Sequence, residues 1–145
     1  MIEVQVSIAP HESADYRAAV ELRRRILRRP LGLDLSEEQL AAECDEAHIV
    51  AKRGDTVVGC LVMVPKPEGI VKMRQVAVEP DLQGQGIGEQ MVRFSEEWSR
   101  NSRFDLIELN ARETAVRFYL KLDYELDGEP FIEVSIPHRR MIKAL

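Results

Sequence analysis

Gln83-Gly84-Gln85-Gly86-Ile87-Gly88 decides the reading of this chain, because an apolar run precedes it and an amphipathic one follows. Val76-Ala77-Val78 reads as the end of a strand closed by Glu79-Pro80. Beyond the glycines, Ile87, Met91, Phe94 and Trp98 recur at i, i+4, i+7 and i+11, the spacing of one helix face. Glycines at alternate positions leave the backbone bare and free to take positive φ. The first N–H groups of a helix have no partner within it, and the positive end of its dipole points the same way. A strand, a bare loop and a helix start therefore make a cradle for a pyrophosphate.

The spacing narrows the choice of ligand. A dinucleotide fingerprint requires a third glycine three residues after Gly86, where Glu89 stands, and a P-loop requires Lys-Ser/Thr after its last glycine, where Glu89-Gln90 follow Gly88.

Working outward, residues 2–8 alternate apolar and polar, and 13–28 carry Ala19, Leu22 and Ile26 on one helical stripe that ends before Pro30. Ser36 with Gln39 three residues on is a capping-box pattern and predicts a short helix over 37–44. Ile49 to Arg53 and Thr56 to Val64 flank Gly54-Asp55, which suits a primed hairpin turn. A strand from about Ile70 to Glu79 leads into the glycine loop, and the helix after the loop runs to about Arg100. Leu106 to Asn110 is the next strand. In the segment after it, Ala115, Phe118 and Leu122 share a helix face with Tyr119 beside them. Phe131 to Ile136 alternates as a final strand, with Ile132, Val134 and Ile136 on one side and Glu133 on the other.

Gln83, Gly86 and Gly88 resemble the Gln/Arg-x-x-Gly-x-Gly/Ala signature of the GNAT superfamily of N-acetyltransferases. Ala115-Val116-Arg117-Phe118-Tyr119-Leu120-Lys121-Leu122-Asp123-Tyr124 is similar to that family's Ala-x-x-Phe-Tyr-x-Lys-Leu-Gly-Tyr/Phe segment, and the order of elements is that of its fold. Ile136-Pro137-His138-Arg139-Arg140-Met141 is similar to the ElaA-like branch. The resemblance implies an α/β fold, with a central mixed, mostly antiparallel sheet flanked by helices, over a single domain spanning residues 1–145. It implies acetyl-CoA as co-substrate and a primary amine as acceptor. The cofactor-binding residues it implies are Val76, Ala77 and Val78 along the pantetheine arm, with Gln83, Gly84, Gln85, Gly86, Ile87 and Gly88 at the pyrophosphate. A backbone N–H near Val78 would polarise the thioester from a strand bulge. Arg112, seven residues before Tyr119, falls where the family approaches the cofactor. Homodimers are common in the family.

Acetyl transfer also needs a proton for the departing thiolate and a base for the amine. The resemblance gives the first role to Tyr119, whose phenol stays protonated at neutral pH. The strand before the loop lacks the glutamate many members place there, offering Lys72, Arg74 and Gln75 with the terminal Glu79 as its carboxylate, so either a water chain takes the proton or the base is Glu108, Glu133 or His138. Asp123 stands where a glycine usually ends the tyrosine helix and has to take its left-handed role.

Composition bounds the partners. A chain of 145 residues with 45% hydrophobic and 31% charged residues is long enough for a core and carries no disorder bias. A formal net charge of −5 argues against nucleic acid as a partner. The longest apolar run, Val57 to Val64, is too short to span a membrane, and no cleavable signal pattern opens the chain. The three histidines lie far apart and no His/Cys pair has zinc spacing, so no metal is expected. Cys44 and Cys60 read as reduced thiols of a cytoplasmic protein. Two segments bear on the acceptor. Glu37, Glu38, Glu43, Asp45 and Glu46 read as a solvated acidic face, with attraction of a cationic amine as the alternative, and Arg23, Arg24, Arg25, Arg28 and Arg29 as cations complementing the dipole at a helix end, with an acidic acceptor as the alternative.

Overall fold

In the computed structural model, which describes residues 2–145, the chain opens with a strand, β1 (Gln5–Ala9), and a helix, α1 (Ala14–Arg23). The helix loosens into a π-helical turn over Arg24–Arg28 and a tighter turn over Arg29–Leu31, where Pro30 can no longer donate to the helical ladder. α2 (Glu37–Ala41) carries both bonds of the expected capping box: Ser36 Oγ accepts from the Gln39 amide, and Gln39 Oε1 accepts from the Ser36 amide. Three strands follow, β2 (Ala47–Arg53), β3 (Thr56–Pro65) and β4 (Ile70–Val78). Gly54-Asp55 forms the two-residue turn between β2 and β3, with Gly54 at φ +63. α3 (Ile87–Asn101), β5 (Leu106–Arg112), α4 (Val116–Lys121), β6 (Glu125–Leu126), β7 (Phe131–Glu133) and β8 (Ile136–Ala144) complete the chain.

All eight strands join one sheet in the order β1-β2-β3-β4-β5-β8-β6, with β7 alongside β8. Among the described residues only β4 and β5 pair in parallel; the remaining pairs are antiparallel, so the sheet is the mixed, mostly antiparallel one expected.

Strand alternation assigns the helices to faces. Ile49 and Ala51 of β2 and Leu61 and Met63 of β3 point to one side, where Ile87, Met91, Tyr119 and Leu122 of the α3 and α4 segments cover them. Val50, Cys60 and Ala77 point to the other, under Tyr16, Ala19, Leu22 and Leu40 of α1 and α2. Gly59 lets α3 approach. A Cβ there would lie 3.0 Å from Sδ and Cε of Met91 and 3.2 Å from Cγ2 of Ile87.

Two expectations are corrected. Phe131 to Ile136 is not one strand: Val134 and Ser135 take φ of +45 and +64 and fold it into a hairpin, so that β7 returns on β8. Neither residue is a usual one for a primed turn, so the sequence carries no turn signal there. Ile132 (68% exposed) and Val134 (42%) consequently face solvent and not a core.

The charged segments around α1 and α2 are the second correction, because they are not wholly solvated. Arg23 is 1% exposed and grips Glu43 through two bonds, Nη1 to Oε1 at 2.9 Å and Nη2 to Oε2 at 2.6 Å. Tyr16 Oη donates to the same carboxylate, and His48 Nε2 donates to the Glu43 carbonyl at 3.0 Å. This pair ties α1 to the end of α2.

Substituting Gly59→Ala forces Met91 or α3 to shift and is expected to cost about 1–3 kcal/mol in urea unfolding; an unchanged midpoint would mean the contact yields freely. The buried cluster also makes stability depend on pH. Burial holds the His48 imidazole below its ordinary 6.5. Burial alone would raise the Glu43 carboxyl, but the Arg23 guanidinium more than offsets this and holds it below 4.5. In both cases the unfolded chain takes up its proton at a higher pH than the folded one. Stability present above 6.5 is therefore lost on acidification, through His48 first and Glu43 later. The melting temperature is expected to fall as pH drops below 6.5, and His48→Gln to flatten the upper part of that fall. A wild-type melting temperature that rises on acidification would contradict this.

Candidate functional site

The parallel pairing of β4 with β5 runs only from Ile70 opposite Leu106 to Met73 opposite Leu109. Beyond it the two strands part. On the β3 side of β4, Val62 faces Arg74 and Cys60 faces Ala77, so Gln75 and Val76 together stand against Leu61. That is a bulge, with Gln75 at φ +57, and bulges bend a strand out of its ladder. It lies earlier on the strand than the expected position near Val78. Its mark on the sequence is a change of phase: Val71 and Met73 pack on the α3 side before the bulge and Val76 and Val78 after it, with Arg74-Gln75 between.

The Glu79 N–H donates to the Val58 carbonyl at 2.9 Å. In an antiparallel ladder, the next residue back turns its N–H and C=O to the opposite edge, which sets Val78 toward the gap. Gln83 Nε2 donates to the Val78 carbonyl at 3.2 Å, fixing the glycine loop to that edge. Gly84 and Gly86 take φ of +78 and +87, and Gly86 caps α3. The first bond of the helix runs from the Gln90 N–H to the Gly86 carbonyl. No side chain caps the amides of the first turn, so they remain free for an anion.

Bulge, loop and parted strands enclose a cavity of about 870 Å³. Of the residues expected at a cofactor, Val76, Ala77, Val78, Gln83, Gly84, Gly86, Ile87, Gly88 and Arg112 line it. Gln85 does not; it is exposed, and its carbonyl accepts from the Ile2 amide. Gly88 is packed from behind, since a Cβ there would meet Phe118 Cζ at 3.2 Å.

The three residues singled out for catalysis line the same cavity. Tyr119 is 6% exposed, and burial pushes its phenol above the usual range, so it holds its proton. Its ring packs edge-on to Phe118 and Tyr124. Asp123, at φ +71, takes the left-handed position that ends this helical segment. His138 is 4% exposed, stacked on Phe131, and not a surface residue. Its Nδ1 lies 2.8 Å from the Ile136 carbonyl, which assigns the ring proton to Nδ1 and leaves the Nε2 lone pair bare in the neutral imidazole. Nε2 is 3.6 Å from Glu133 Oε2, a gap that suits a shared donor better than a direct bond. Asn110 Nδ2 reaches Glu133 Oε1 at 3.5 Å. Glu108 is excluded as the base, because Arg140 Nη2 holds its Oε2 at 2.6 Å and it does not line the cavity.

Sequence reasoning missed Arg28 and Asn110 as wall residues and treated Arg74 and Gln75 only as replacements for a missing glutamate. Arg28 reaches the cavity from the π-helical turn after α1, and Arg112 sits at the end of β5, opposite His138 in the β8 register. Cys60 is buried and its thiol is pushed up to about 12 by desolvation, which makes it a packing residue. Among the described residues, no group of three or more His, Cys, Asp or Glu side chains could hold a metal ion, and no helix is long and apolar enough to cross a membrane.

Residues 13–124 match the sequence model of the Acetyltransferase (GNAT) family. Solved structures with similar folds include a Lactobacillus plantarum protein provisionally described as an N-acetyltransferase, with a TM-score of 0.86 at 23% identity over 98% of both chains. ElaA of Escherichia coli superposes with a TM-score of 0.82 at 20% identity, over 97% of this chain and 99% of that one. A Bacillus subtilis acetyltransferase solved in complex with CoA gives 0.76 at 19% identity, over 99% of each chain. At these identities the likeness is one of fold.

Proposed function

The chain belongs to the GNAT acetyltransferase family, and from that premise we propose that it transfers an acetyl group from acetyl-CoA directly to a primary amine. The observation that carries this reading is the open edge of β4, which runs from the bulge at Gln75 to the uncapped first turn of α3 along one wall of the cavity. The residues present fit the cofactor. Free amides at a helix start suit a pyrophosphate, positive-φ glycines let it approach, and an unpaired strand edge suits the two amides of a pantetheine arm.

Bound there, acetyl-CoA supplies the acyl carbon and a thiolate leaving group. The reaction makes one C–N bond and breaks one C–S bond; a proton leaves nitrogen and a proton reaches sulfur. Tyr119 supplies the proton to sulfur. Its raised phenol would be a weak acid in water, but a thiolate forming in the same apolar surroundings is destabilised as well, which keeps the transfer feasible. The proton from nitrogen goes to His138 Nε2, with Glu133 3.6 Å away to stabilise the imidazolium. The Val78 amide, facing the gap, polarises the carbonyl. Two unpaired cysteines suit a reducing compartment such as the cytoplasm.

A second reading, an acyl-CoA-binding module without turnover, is favoured by the absence of a carboxylate from the β4 segment of the cavity wall, where Lys72, Arg74 and Gln75 stand.

Calorimetric titration tests binding first. Acetyl-CoA is expected to bind with micromolar affinity, about −8 kcal/mol, and ADP much more weakly. Gly86→Val, which puts a β-branched residue at φ +87, is expected to weaken acetyl-CoA at least about tenfold without unfolding the chain. Absence of heat from folded wild-type protein at two temperatures would remove the reading. Turnover is tested at Tyr119→Phe, for which kcat is expected to fall about 100-fold or more with acetyl-CoA affinity unchanged. Full kcat in that variant would assign the proton to another donor.

A further inference from the structure

The cavity carries charge opposite to that of the chain. Lys72, Arg28, Arg74 and Arg112 line it against only two carboxylates, Glu89 and Glu133, in a protein whose formal net charge is −5. None of the four cations has a carboxylate oxygen within 4.0 Å among the described residues. Arg28 is the most exacting of them. Its Nε is buried with no hydrogen-bond partner, and it feels the like charges of Arg23, Arg74 and Arg112. A second orphan lines the same cavity: Gln75 Oε1, carried by the bulge, is buried with no donor. An unsatisfied buried donor and an unsatisfied buried acceptor in one cavity each cost free energy unless a ligand completes them.

Arg28, Arg74 and Gln75 stand far from the expected pyrophosphate. Arg74 lies five residues before Glu79, about 16 Å along the strand, and the glycine loop begins beyond that. Arg28 is also close enough to Glu133 for that carboxylate to act on it. These groups belong to the reacting end of the cavity.

Resting on the acetyltransferase reading above, we propose that the acceptor is a primary amine bearing a carboxylate, such as a free amino acid, with the carboxylate held by Arg28 and an N–H of the amine held by Gln75 Oε1. The guanidinium fork matches a carboxylate in two parallel bonds, and Arg74 and Arg112 strengthen the local field. The same cations disfavour a second positive charge, so the amine enters as the neutral nucleophile. Transfer keeps the balance given above: nitrogen gains the acyl carbon and loses a proton, sulfur loses the carbon and gains one, and the carboxylate is unchanged.

The test measures thiol release from acetyl-CoA with free amino acids, with their carboxamides, with spermidine and with phosphoethanolamine. Wild-type kcat/KM is expected to favour a free amino acid over its own carboxamide by about 10- to 100-fold. In Arg28→Gln that ratio should collapse toward one through KM, with calorimetric affinity for coenzyme A unchanged, and Arg28→Lys should recover part of it. Equal use of carboxamides, or a preference for spermidine or phosphoethanolamine, overturns the proposal. A loss of coenzyme A affinity in Arg28→Gln overturns it too, by assigning the guanidinium to the cofactor. No turnover on any amine in protein that binds coenzyme A overturns it while leaving cofactor binding intact. Failure to bind coenzyme A removes the underlying reading instead.

Discussion

Everything at the site depends on hydrogen bonds that β4 and β5 do not make. Two parallel neighbours that stayed in register would satisfy each other's amides to the end and leave no opening. Here four residue pairs hold, and then the bulge at Gln75-Val76 bends β4 away. The strain is local, a single non-glycine residue at φ +57, while the cost of unpaired amides is spread along the edge. The fold tolerates that edge because a ligand can complete it. The Gln83 side chain, bonded to the Val78 carbonyl, ties the edge to the loop, so the strand and the start of α3 act as one receptor.

Much of this was legible in the residues, and what was not fails for identifiable reasons. The glycine loop, the capping box at Ser36 and Gln39, the Gly54-Asp55 hairpin and the left-handed Asp123 all rest on local chemistry that a residue carries wherever it stands. Val134 and Ser135 are the counterexample: residues of no turn preference are held at positive φ by the pairing of β7 with β8, a tertiary demand that overrides local propensity. His138 has two arginines after it in sequence, Arg139 and Arg140, yet its own side chain is buried and stacked on Phe131. On α3 the apolar stripe was correct for Ile87 and Met91. It missed Glu96, which is buried because Tyr124 donates to it at 3.0 Å and Lys143 at 3.2 Å. Buried charges become visible only with their partners.

The segment following α1 serves two ends. Arg23 is consumed by Glu43 and holds α1 against α2, whereas Arg28, five residues on, is left without a carboxylate and enters the cavity wall. The π-helical turn between them changes the facing of the side chains, so a run of arginines that looks uniform in sequence divides into four paired members, Arg23, Arg24, Arg25 and Arg29, and a free one, Arg28. Arg25 reaches Glu79 at 2.9 Å and fastens the same turn to the end of β4.

Gly59 lines no part of the cavity, yet it stands opposite Val78 in the register of β3 on β4 and leaves room for Met91 and Ile87, so it also sets where α3 sits. The helix is a rod of about 22 Å, seated near its N-terminal end against this one missing side chain. A shift of a few tenths of an ångström at that seat passes directly to the amides of the first turn, because the rod has no joint between them. Mutational drift on β3 is thus coupled mechanically to affinity at a site one layer away, and a screen for altered cofactor binding would recover β3 substitutions that a map of ligand contacts would never nominate.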